Sequence, residues 1–149
     1  MGARTFALVH TIQTGQPSGS NVLSLVEGNG TVYSGGSTKD SGTIRAWSLN
    51  NYAQVATITG HNKGAHMMTY SNNKLISASR DHTVRVWGGS NNTHLTTLTD
   101  HTDIVWTVIA LNNRIFPRSK DKSICVYDAS SYALLRKIQT SHTGDISSL

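Results

Sequence analysis

Apolar residues fall in short clusters along this chain, separated by runs of Ser, Thr, Asn and Gly. Between Ala65 and Leu98 the clusters predict four strands: Ala65 to Tyr70, Lys74 to Ser79, Thr83 to Trp87 and Thr93 to Leu98, divided by "SNN", "RDH" and "GGSNN". Paired asparagines beginning at Asn50, Asn72, Asn91 and Asn112 mark turns, because Asn tolerates the left-handed backbone that tight turns need. The unit is an antiparallel meander. Its third and fourth strands are apolar at both parities, as at Val84, Val86 and Trp87. A sheet wet on one face would alternate instead. Each meander therefore buries both faces against neighbours and is not stable alone.

The meander repeats. Trp47, Trp87 and Tyr127 are forty residues apart, and the segments before them align as "SGTIRAW", "DHTVRVW" and "DKSICVY". His61, His101 and His142 recur at forty and then forty-one. The sequence predicts an all-β tandem array of short strands.

Bulk properties narrow the class. Charged residues make up 14% of the chain, well under the usual quarter, which favours strands and turns over solvated helices. The single cysteine, Cys125, cannot form an internal disulfide, and its Ile-Cys-Val setting reads as buried strand with an inert thiol. The opening "MGARTFALVHT" holds a four-residue apolar run, too short for a signal-peptide core or a membrane span. Phe6 stands where a myristoylation signal wants Ser or Thr, and "NGT" and "NNT" read as turns. The expected setting is intracellular, cytoplasmic or nuclear. The net charge of +5 is scattered, densest in Arg114 to Lys122, "RIFPRSKDK", and hints at an anionic partner.

These residues resemble the WD-repeat β-propeller family. The middle unit carries the resemblance, with a Gly-His pair at Gly60 and His61, "LISAS" at Leu75 to Ser79, Asp81, and a strand ending in Trp87. The resemblance implies a partial β-propeller of about three to four four-stranded antiparallel blades. Residues 1–149 then form one array: an outer strand of a preceding blade at 7–14, blades at 15–59, 60–99 and 100–140, and the first strand of a further blade at 141–149. It also implies a buried hydrogen-bonded tetrad of His61, Ser77, Asp81 and Trp87. The last unit keeps His101 and Asp121 but has Pro117 at the place of Ser77 and Tyr127 at the place of Trp87, and a weaker blade is expected. The first keeps Ser34 and Trp47, lacks the Gly-His, and carries Asp40 one residue out of register, so its tetrad is expected to be incomplete.

Ser77, His61 and Asp81 include the residue types of a catalytic triad, but no G-x-S-x-G elbow is present, and the structural role is expected. The seven histidines include no H-E-x-x-H, and His61 and His66 are expected on one strand facing opposite sides, so no metal site is expected. "EGNG" at Glu27 to Gly30 reads as a hairpin turn, not a phosphate cradle. Neither a catalytic role nor a cofactor is expected.

The resemblance implies a protein-protein interaction scaffold. Residues just before each Asp, Lys39, Arg80 and Lys120, and residues just inside each first strand, Leu23, His66 and Trp106, are expected to ring the channel mouth and bind a partner. Three cations and a Trp suit an acidic or phosphorylated peptide. Trp106 could equally pack between blades. The segment "HTDIVWTV", His101 to Val108, is similar to F-box-associated WD-repeat proteins, which would imply substrate recognition in a ubiquitin-ligase-like assembly. One alternative is a nucleic-acid contact through the same cations, with RNA or DNA as partner. The other is an assembly fragment. Three and a fraction blades cannot close, so the chain is expected to be part of a longer propeller, half of a homo-oligomeric ring, or an abbreviated product, with no membrane partner.

Overall fold

A computed structural model describes Leu8 and residues 10–14, 21–37 and 42–141. Twelve strands form three four-stranded antiparallel sheets, each in simple chain order. The first sheet holds β1 (Asn21–Gly28), β2 (Thr31–Ser37), β3 (Gly42–Ser48) and β4 (Gln54–His61). The second holds β5 (Ala65–Ser71), β6 (Lys74–Ser79), β7 (Val84–Gly88) and β8 (His94–Leu98). The third holds β9 (Val105–Leu111), β10 (Arg114–Ser119), β11 (Ser123–Asp128) and β12 (Leu134–Gln139). The architecture is an open, partial propeller. No helix long and apolar enough to cross a membrane occurs among the described residues.

Local chemistry explains the meanders. The β5–β6 and β9–β10 hairpins turn on Asn72–Asn73 and Asn112–Asn113, all with φ of 50–56°, the double left-handed step of a type I′ turn. Asn29 and Gly30 do the same for β1–β2. In the longer turns after β3, β7 and β11 the left-handed residue is Tyr52, Asn92 or Tyr132. Asn50 therefore lies in a turn without taking its strained position.

Both faces of the middle sheet are buried. On one side Leu75 and Trp87 pack with Tyr33, Ile44, Ala46 and Ile58 of the first sheet. On the other Ile76, Val84, Val86 and Leu98 pack with Ile115, Cys125 and Tyr127 of the third. Close approach between the first two sheets depends on Gly35, where a Cβ would lie 2.9 Å from the carbonyl oxygen of Ala65. His61 closes β4 while His66 lies on β5, so the two do not share a strand as the sequence suggested. Residues 10–14, inside the span read as an outer strand at 7–14, form no strand, and His10 stacks on Tyr52 at 4.6 Å. The strand expected at 141–149 lies, apart from Ser141, outside the described residues.

Candidate functional site

Four side chains of the middle unit form one directed chain of hydrogen bonds. The Trp87 indole N–H donates to the Ser77 hydroxyl at 2.9 Å, and that hydroxyl meets Nε2 of His61 at 2.8 Å. Nδ1 of His61 then stands 2.9 Å from the Asp81 carboxylate. The indole can only donate, so the order of partners puts the imidazole proton on Nδ1. His61 and Ser77 are buried, and every polar end is used. Gly60 belongs to this packing: with φ of 153°, a Cβ there would lie 2.9 Å from the Trp87 ring.

Asp81 anchors the chain to the turn. Its carboxylate accepts from the Thr83 hydroxyl at 2.6 Å, the Thr83 N–H at 3.0 Å and the Asn62 N–H at 3.0 Å. Burial pushes this carboxyl up, but the hydrogen bonds from His61, Thr83 and Asn62 outweigh it and hold it well below the usual carboxylate range. Sequence reasoning missed Thr83, although the repeated D-x-T and D-x-S spacing of "DHT" and "DKS" was there to find.

The third sheet keeps only part of this wiring. His101 Nδ1 stands 3.0 Å from Asp121, and the Ser123 hydroxyl donates to that carboxylate at 2.6 Å. Asp121 is likewise raised by burial and lowered further by Ser123, His101 and Thr102. Pro117 offers no hydroxyl, so Nε2 of His101 is buried without a partner. Tyr127 turns away and donates to Asp100 at 2.8 Å, while Lys137 reaches the Asp100 carbonyl at 2.6 Å and Asp121 at 3.4 Å. Burial, and then Asp100, raise the Tyr127 hydroxyl far above the usual phenol range. Burial likewise pushes the Cys125 thiol up, away from reactivity. In the first sheet the Trp47 indole donates to Ser34 at 2.9 Å. Asp40 lies outside the described residues.

A second group of residues gathers at one end of the sheets. Arg80 N–H bonds the Gly64 carbonyl at 3.1 Å and Lys120 N–H bonds that of Ile104 at 2.9 Å, which sets two exposed cations in equivalent places beside β5 and β9. Pairing in each inner strand then slips by one residue, between Val22 and Ser24, Ala65 and Met67, and Val105 and Thr107. The residues left out of the ladder are Leu23, His66 and Trp106. A bulge of this kind re-aims a side chain, and sequence pattern gave no sign of it. Trp106 stays partly exposed and meets the His66 ring edge-on at 5.0 Å. Burial, then the charge of Arg80, lower the His66 pKa. Lys39 lies outside the described residues.

Comparison with known proteins agrees with this architecture. Residues 52–88 match the family model "WD domain, G-beta repeat". No curated protein matches the chain. Among solved structures, the computationally designed Ika4 protein superposes with a TM-score of 0.75 at 22% identity, over 93% of this chain and 82% of its own. U3-55K superposes at 0.73 and 20% identity, over 84% of this chain and 41% of its own, and the RRP9 WD40 repeats at 0.73 and 20%, over 84% and 40%. The designed Ika8 protein superposes at 0.72 and 24%, over 78% of this chain and 36% of its own. The chain thus spans well under half the length of three of these structures. WD repeats generally mediate protein-protein interaction, and their propellers are typically non-enzymatic scaffolds. Residues 52–88 thus match a WD repeat, and the three sheets share the propeller fold of these structures.

Proposed function

We propose that the chain is a non-catalytic binding scaffold whose bulged rim takes an acidic or phosphorylated segment of a partner protein. One observation carries the reading: the same bulge in all three inner strands expels Leu23, His66 and Trp106 at the end where Arg80 and Lys120 stand exposed. An aromatic surface flanked by cations fits a carboxylate- or phosphate-bearing peptide, since the cations pair with the anion and the indole supplies buried apolar contact. The buried network serves the scaffold. Ser77 resembles a triad serine in its partners, yet it is 0% exposed and accepts the Trp87 indole, so no substrate reaches it.

Fluorescence anisotropy with labelled phosphorylated and Asp/Glu-rich peptides tests the reading. The double reversal Arg80→Glu with Lys120→Glu should weaken capture at least about tenfold, near 1.4 kcal/mol, without lowering the melting temperature. Equal capture by the reversed chain would remove it. Binding that instead favours an unrelated single-stranded oligonucleotide, and collapses as salt rises, would move the rim to nucleic acid.

A further inference from the structure

Register divides each sheet into two faces. In the middle sheet the front bears Ser77 and Trp87, and the back bears Ala78 and Val84 paired across to Leu98. Both internal interfaces set a front against a back: the front of the second sheet on the back of the first, and the front of the third on the back of the second. Two faces remain. They are the front of the first sheet, with Leu25, Val32 and Trp47, and the back of the third, with Phe116, Ile124, Val126 and Ile138.

The same positions show what these faces lack. Leu98 is 6% exposed under the third sheet, while its counterpart Ile138 is 42% exposed. Met68 is 3% exposed under the first sheet, while its counterpart Leu25 is 65% exposed. Contiguous apolar faces of this kind mark interaction sites.

We propose that a second copy of this chain closes both, the front of the first sheet in each copy seated on the back of the third sheet in the other. The complement each face needs is the kind already used twice inside the molecule, and every copy carries one of each. Front-to-back contacts are heterologous, so they close into a ring when the rotation per sheet completes a turn. Two copies supply six described sheets, within the usual range of about four to eight blades, which three alone do not reach. Closure goes beyond the peptide-binding reading and stands without it.

Sedimentation equilibrium over a dilution series, with no peptide present, decides the matter on the unmodified chain. Reversible monomer–dimer exchange is expected, with a dissociation constant on the order of micromolar. Val126→Glu or Val32→Glu should each abolish the dimer, and mixing the two should restore a weak one, because one of its two contacts is then unaltered on both sides. A chain that stays monomeric at every concentration overturns the proposal. So does a dimer indifferent to Val32→Glu, which would be joined back to back, and so does an open polymer.

Discussion

The second and third sheets share a backbone plan and a His–Asp bond, at 2.9 and 3.0 Å, yet differ in what lies beyond the imidazole. In the second, Ser77 and Trp87 complete a chain in which every donor meets an acceptor. In the third, Pro117 breaks that chain, His101 is left with a buried, unpartnered Nε2, and Tyr127 finds Asp100 instead. Yet Ile115, Cys125 and Tyr127 still pack against Ile76 and Val86. The His–Asp half of the network thus belongs to the turn, where Thr83 or Ser123 braces the Asp, and the Ser–Trp half belongs to the strands. The two halves are separable. Apolar packing sustains the sheet when only one survives.

The comparison breaks most completely in acid, where both turns fail together. Asp81 and Asp121 have folded pKa values below their unfolded ones, so the stability they contribute is present above about pH 4 and is lost as pH falls through the lower folded values. His66, also lowered, adds a shallower loss beginning near pH 6.5. Urea midpoints should therefore decline gently from about pH 6.5 and steeply below about pH 4, and His66→Gln should flatten only the gentle limb. A steep limb that persists in Asp81→Asn with Asp121→Asn would show the carboxylates not to be its cause. Next in size is the contrast between the imidazoles. His61→Ala strands Ser77 and Asp81 together and should cost about 3 kcal/mol, whereas His101→Ala removes one used nitrogen and should cost about 1 kcal/mol less, read from paired denaturant titrations. Equal losses would mean that the strand half of the network contributes nothing.

Much of this was legible because the repeat itself is legible. A forty-residue spacing of Trp47, Trp87 and Tyr127 places corresponding residues in corresponding strands, and Pro117 marks the break in the sequence itself. What the sequence concealed depends on register and on long side chains. Leu23, His66 and Trp106 were placed near the rim by position alone, and their expulsion from the ladder is a slip that no hydrophobic pattern encodes. Asp100 and Lys137 belong to no repeated motif of the sequence. Only the substitution of a phenol for an indole, which moves the polar atom to the far end of the ring, recruits Asp100, and Lys137 reaches it from across the sheet.

The smallest effect is the sharpest test of the comparison, because it repairs the third sheet instead of damaging the second. Pro117→Ser places a hydroxyl where Ser77 stands and returns an N–H to β10, whose pairing with β11 runs through Ile115 and resumes only at Arg118. The gain is one hydrogen bond to a buried, unpartnered nitrogen and one ladder bond, against the looser unfolded chain that losing a proline brings. A net stabilisation of about 1 kcal/mol is expected, seen as a raised urea midpoint with an unchanged slope. The same substitution made on His101→Ala should lose roughly half of that gain, since the hydroxyl then has no imidazole to meet. If the midpoint rises equally in both backgrounds, the ladder accounts for the whole effect. The unpartnered nitrogen would then be tolerated at no cost, and the difference between the two sheets would lie in their backbones.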